Sequence, residues 1–111
     1  MKHFSVYFYM VHHSLDNVLV LEDDATFVSD WTREDSVWQK IVRALPMTYD
    51  LLFLSGCCRI HKRGKKITDH LYLAQQSRVS SMYLISQKGA RNMLRSLPMV
   101  SGIDWHMNCK L

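Results

Sequence analysis

Three consecutive carboxylates, Glu22-Asp23-Asp24, follow directly on the aliphatic run Val18-Leu19-Val20-Leu21. An unbroken apolar run of this kind, preceded by the turn-type pair Asp16-Asn17, predicts a buried strand of a parallel sheet. In open α/β sheets ligands bind beyond the carboxyl ends of the strands, so this strand would deliver three acids to a binding edge. If the chain stays extended through its end, Glu22 and Asp24 project to one side and Asp23 to the other. Two hard oxygen ligands on one side of a rigid strand suit magnesium or manganese, which can neutralise charge on a departing phosphate oxygen. Acidic strand ends are also ordinary solvated turns, and spacing alone does not separate the two.

A further carboxylate, Asp104, lies in Gly102-Ile103-Asp104-Trp105-His106-Met107-Asn108, a loop expected to turn into a last short helix. A general base must have a suitable pKa and lie within hydrogen-bond reach of the proton it takes. A helix cap uses the same residue type at the same place. His12 and His13 read as a polar helix end, because no second ligand follows at helical spacing. Cys57, Cys58 and Cys109 show no metal-ligand spacing and read as free thiols in a reducing compartment.

The elements that must position these groups are legible in outline. Phe4, Tyr7, Phe8 and Val11 recur at helical spacing, which predicts an amphipathic helix over residues 3–14 packed through that stripe. Thr32-Arg33-Glu34-Asp35 resembles a capping box that opens a helix carrying Val37, Trp38, Ile41, Val42 and Leu45, stopped by Pro46. Asp50-Leu51-Leu52-Phe53-Leu54-Ser55-Gly56 repeats the design of an apolar run ending in small polar residues. Strand, helix and strand at this spacing predict a βαβ unit with parallel strands. Arg59 to Lys66, with five Lys/Arg, His61 and a glycine, reads as a loop, either a solvated excursion or an anion-contacting flap. Leu71 to Ala74 and Val79 to Ser86 read as further strands, and Ser86 as the N-cap of a helix containing Met93, Leu94 and Leu97.

A chain of 111 residues with 48% hydrophobic and 22% charged residues is expected to form one globular domain, residues 1–111. No apolar run approaches the length of a membrane span, and the N-terminus has no signal-peptide pattern, so a cytoplasmic location, free or peripheral to a membrane, is the expectation. The net charge of +4 conceals an asymmetry: residues 1–58 carry four Lys/Arg against eight Asp/Glu, and residues 59–111 carry ten against two. A basic half beside an acidic cluster suits an anionic ligand bridged by a cation. It also suits a nucleic acid, but an aromatic-interleaved basic platform is missing, so no specific nucleic-acid partner is expected.

Four ordered segments add a family resemblance. Asn17 to Phe27, containing Leu21-Glu22-Asp23-Asp24-Ala25, resembles the acidic-motif segment of glycosyltransferase family 25, which includes lipooligosaccharide and procollagen galactosyltransferases. Tyr49 to Gly56 is similar to that family's second strand, Met82 to Ala90 to its Tyr-Leu-Ile-Ser-x-x-Gly-Ala segment, and Ile103-Asp104-Trp105 to its Ile-Asp segment. The resemblance implies an α/β fold: a partial GT-A (nucleotide-diphospho-sugar transferase) fold with a mixed, mostly parallel sheet flanked by helices.

The resemblance also implies inverting, metal-assisted transfer of a hexose, typically galactose, from a UDP-sugar to a hydroxyl of a glycan or protein. In that scheme Glu22, Asp23 and Asp24 bind the donor with Mn2+ or Mg2+, and His106 is an additional candidate metal ligand. Ser55 and Gly56 line the donor cleft, Asp104 is the acceptor-side base, and Tyr83, Gly89 and Ala90 are structural. Family members carry nucleotide-binding strands upstream of the first helix, and His3 stands where they have a Ser-His-type segment, with Lys2 in place of Ser. The chain is thus expected to correspond to a truncated, C-terminal part of a catalytic domain whose unpaired sheet edge favours self-association. An inactive remnant acting as an interaction module is the alternative.

Overall fold

The computed structural model describes residues 2–27, 30–55, 62–76, 80–99, 101–103 and 106–107. Among the described residues the elements follow in the order α1 (Lys2–His12), β1 (Asn17–Leu21), α2 (Val37–Ala44), β2 (Leu51–Phe53), β3 (Lys62–Lys66), β4 (Tyr72–Gln76), β5 (Met82–Ser86) and α3 (Gln87–Arg95). The protein is therefore mixed α/β, as expected, but its sheets are antiparallel.

The expected mostly parallel sheet is corrected by the place of β5. The three-stranded sheet has the order β1-β5-β2, and both outer strands run antiparallel to the central one. β1 and β2 do run the same way, as a βαβ unit requires, but across an intervening strand that supplies every ladder hydrogen bond. The apolar run of β1 is consequently half-buried at its centre and exposed at its ends rather than fully buried. It is a sheet edge covered on one face.

Register explains which face is covered. Val18 pairs with Ile85 and Val20 with Tyr83 on one side, while Leu51 pairs with Ile85 and Phe53 with Tyr83 on the other. These side chains share a face, and α1, α3 and Met107 cover it. Phe4, Tyr7, Met10, Tyr83, Ile85, Ala90, Met93 and Met107 form the buried cluster. Complete burial of a side chain such as Ile85 contributes about 1.5–3 kcal/mol.

α1 buries Phe4, Tyr7 and Met10, whereas Phe8, placed on the core stripe by periodicity, is exposed. The helix ends in a left-handed Ser14 at φ 54°, with Leu15 N–H donating to the Met10 carbonyl (3.0 Å) and Ser14 N–H to the Val11 carbonyl (3.4 Å). This is the Schellman closure, usually made with glycine. α2 starts later than its sequence suggests. Asp30 Oδ1 takes the Thr32 N–H and hydroxyl at 3.0 and 2.6 Å, and Arg33 pairs with Asp35. Those local side-chain bonds compete with helix, and Ser36 becomes the N-cap by accepting from Gln39 N–H at 3.2 Å.

Part of the basic segment read as a loop is strand β3, paired with β4 in a separate two-stranded sheet. Its close packing needs a glycine: a Cβ on Gly64 would lie 2.9 Å from the Leu73 carbonyl oxygen. A cleft of about 390 Å³ separates this hairpin from β2 and is lined by Leu51, Phe53, Leu71 and Leu73 among others. Among the described residues no helix is long and apolar enough to cross a membrane.

Candidate functional site at the end of strand β1

The strand does not stay extended through its carboxylates. Glu22 N–H donates to the Ser81 carbonyl at 2.9 Å, and Ala25 N–H returns to the Glu22 carbonyl at 3.0 Å. The chain therefore turns over Glu22–Ala25, with Asp23 and Asp24 at the exposed corner and Glu22 half-buried. The expectation that Glu22 and Asp24 share one side of an extended strand is corrected by this turn.

Glu22 faces inward onto a set of polar groups from three elements. Ser80, buried just before β5, donates its hydroxyl to Glu22 Oε1 at 2.8 Å. His3 Nε2, on α1, lies 3.7 Å from the same oxygen, an electrostatic contact longer than a hydrogen bond. Its other ring nitrogen, Nδ1, is 2.7 Å from the Tyr83 hydroxyl, which is 2.8 Å from that of Tyr7. His3 also stacks on the Tyr83 ring, with centroids 5.7 Å apart. Burial holds the His3 imidazole below its usual pKa, the Glu22 carboxylate pulling the other way. Burial likewise pushes the Tyr7 phenol up to about 12 and raises that of Tyr83.

Ser55 lies at the end of β2, joined to the same region by serines. Its hydroxyl accepts the Met82 N–H at 3.1 Å and contacts the Ser81 hydroxyl at 3.2 Å. The Ser80-Ser81 segment thus bridges the ends of β1 and β2. Gly56 and Asp104 lie outside the described residues, as do the three cysteines.

His106 is 1% exposed and packs edge-on to Phe4. Its Nε2 is 2.7 Å from Ser96 Oγ, whose own proton goes to the Met93 carbonyl at 2.6 Å. Ser96 can only accept, so Nε2 carries the hydrogen and the buried Nδ1 holds a lone pair without a partner among the described residues. Among the described residues, no three His, Cys, Asp or Glu side chains stand together as a metal site.

Sequence reasoning missed Ser80 and the partnership of Tyr7 with Tyr83. A signal was present, since a tyrosine on a core-facing stripe must find a partner for its hydroxyl.

Comparison with known proteins gives one distant similarity. The chain is 28% identical over 102 residues to a Bos taurus protein named "Probable inactive glycosyltransferase 25 family member 3", a match covering 89% of this chain and 17% of the relative. The chain thus spans about a sixth of that relative's length. No family model matches, and no solved structure matches. The similarity supports a distant glycosyltransferase-25-like relationship.

Proposed function

We propose that this chain is a glycosyltransferase-family-25-like unit that engages a UDP-hexose, galactose by preference, at the turn closing β1. The observation supporting this reading is the inward carboxylate of Glu22: Ser80 and His3 both address Oε1, and among the described residues none bonds Oε2. In the transfer, a glycan or protein hydroxyl attacks the anomeric carbon from the face opposite the diphosphate. The carbon–oxygen bond to the diphosphate breaks with its electron pair, and the acceptor proton passes to a base, for which Asp104 is the candidate. A Mn2+ or Mg2+ ion, if bound, would supply charge neutralisation at the diphosphate, with Glu22, Asp23, Asp24 and His106 as its candidate donors. Ser55 and Gly56 would border the donor. Melting with Mn2+ and UDP-galactose tests the reading: the expected result is a raised melting temperature that Glu22→Ala abolishes, and an unshifted parent protein overturns it.

A second reading, an inactive interaction module, is favoured by the outward aspect of Asp23 and Asp24 and by the printed name of the relative. Hydrogen-bond parity supplies a means of association. Glu22 N–H donates to the Ser81 carbonyl and Gln87 N–H to the Asp16 carbonyl, at the two ends of β5, so the backbone groups of Asn17, Leu19 and Leu21 point away from that strand. This reading predicts a mass above that of the monomer by light scattering, together with no sugar transfer.

A further inference from the structure

The hydroxyls of Tyr7 and Tyr83 and the ring of His3 form a chain whose protons can be placed by counting. Two directions run along the chain; a third arrangement, in which His3 Nδ1–H and Tyr7 both donate to Tyr83, leaves the buried Tyr83 hydrogen without an acceptor among the described residues. In the first, Tyr7 donates to Tyr83, Tyr83 donates to His3 Nδ1, and the ring hydrogen sits on Nε2, facing Glu22 Oε1. Every hydrogen then meets an acceptor or a negative charge. In the second, His3 Nδ1 donates to Tyr83 and Tyr83 to Tyr7. Among the described residues the Tyr7 hydrogen then has no acceptor, at a residue with no solvent exposure, and the Nε2 lone pair faces a carboxylate. A buried unsatisfied hydroxyl and a lone pair against a negative charge are both unfavourable, so the first direction prevails.

We propose, on the reading that Glu22 meets the donor, that His3 is a positioning residue: Tyr7 and Tyr83 fix its Nε2–H tautomer, which with Ser80 holds Glu22 Oε1 and presents Oε2 to the ligand. Ser80 spends its hydroxyl hydrogen on Oε1 at 2.8 Å, and the His3 N–H adds a second positive pole at 3.7 Å on that same oxygen. The carboxylate is thereby restrained at one oxygen. Rotation that would exchange Oε1 with Oε2 must break the Ser80 bond and move Oε1 away from the imidazole. His3 and Tyr7 belong to α1, Tyr83 to β5 and Ser80 to the residues just before it, so the arrangement also ties the helix to the strand end.

The test is ring-nitrogen NMR on the 111-residue protein with 15N-labelled histidine, at a pH where imidazole is neutral. The expected His3 pattern is a protonated, pyrrole-type Nε2 and an unprotonated, pyridine-type Nδ1. Tyr7→Phe should preserve it, since Tyr83 still donates to Nδ1. Tyr83→Phe should mix the two tautomers, since Nδ1 then has no donor. An Nδ1–H pattern in the parent protein overturns the proposal, as does loss of the pattern in Tyr7→Phe with retention in Tyr83→Phe. Because the parent spectrum needs no substitution, misfolding of a variant cannot obscure the result. A second arm measures the thermal shift with Mn2+ and UDP-galactose: Tyr83→Phe should shrink the shift relative to Tyr7→Phe. If the parent shows no shift while the tautomer pattern holds, the donor-binding reading fails and the assignment of His3 over Glu22 Oε1 stands; equal shifts in both variants count against the positioning role.

Discussion

The carbonyl of Asp50 fills the space that a side chain on Gly89 would need. A Cβ built there would overlap the carbonyl oxygen and lie 2.8 Å from the carbonyl carbon, in backbone that cannot swing aside. In an exposed helix interior, Gly→Ala is favourable by about 1 kcal/mol. Here the overlap reverses the sign, and Gly89→Ala should destabilise the protein by about 1–3 kcal/mol in chemical denaturation.

Ser86 links β5 to α3. Its hydroxyl donates to the Tyr49 carbonyl at 2.6 Å and accepts the Gly89 N–H at 3.0 Å, serving as N-cap and strand tie together. Ser86→Ala should cost about 1–2 kcal/mol, while Ser86→Asp, which keeps the cap but cannot donate to Tyr49, should recover part of the loss. A denaturation series over the three proteins measures both.

At Ser14 the expected change is a gain. Its φ of 54° suits glycine, and no described side-chain bond holds it there. Ser14→Gly should raise stability by up to about 1 kcal/mol, read from the urea midpoint; an unchanged or lowered midpoint would show that the turn carries no strain.

Acid should weaken the fold through His3. Its folded pKa lies below the unfolded value of 6.5, because burial disfavours the cation more than Glu22 favours it. The unfolded chain then takes up this proton first. The contribution is complete above 6.5 and declines as pH falls from there toward the folded value. Urea midpoints measured between about pH 8 and pH 5 should drop, and His3→Gln should flatten part of that slope.

Alkali acts on the phenols with the opposite sign. The folded pKa of Tyr7, about 12, stands above its ordinary 10.0, and that of Tyr83 is raised as well. Their contribution is complete below 10 and is lost as pH rises toward 12. Tyr7→Phe should shrink the alkaline fall in stability, which near-ultraviolet absorbance of phenolate during unfolding would follow.

Some local signals held and long-range ones did not; locally, the capping box read at Thr32–Asp35 failed, because Ser36 is the N-cap of α2. The β1 run, the first helix (expected over residues 3–14, found over 2–12) and the Ser86 cap are written in neighbouring residues, and the structure contains all three. The position of β5 between β1 and β2 depends on pairing partners at least 30 residues from β2 and more than 60 from β1, which periodicity does not encode. β3 was hidden because Lys62-Arg63-Gly64-Lys65-Lys66 has no apolar alternation to betray a strand. At the site, the acidic motif located Glu22. It did not foretell the turn that sends Asp23 and Asp24 outward, nor the contact with Ser80, which lies 58 residues away.

The central position of β5 also has a consequence for biosynthesis. As the chain leaves the ribosome, β1 and β2 emerge well before the strand that bonds to both. Until residues 82–86 are available, neither has its ladder partner, and Glu22 has neither the Ser81 carbonyl nor the Ser80 hydroxyl. A nascent chain is thus committed to a long interval with two apolar strands exposed, and the loop that must close is most of its length. Ribosome-stalled chains ending before and after β5 should therefore differ sharply in protease resistance, with protection of β1 arriving only in the longer one.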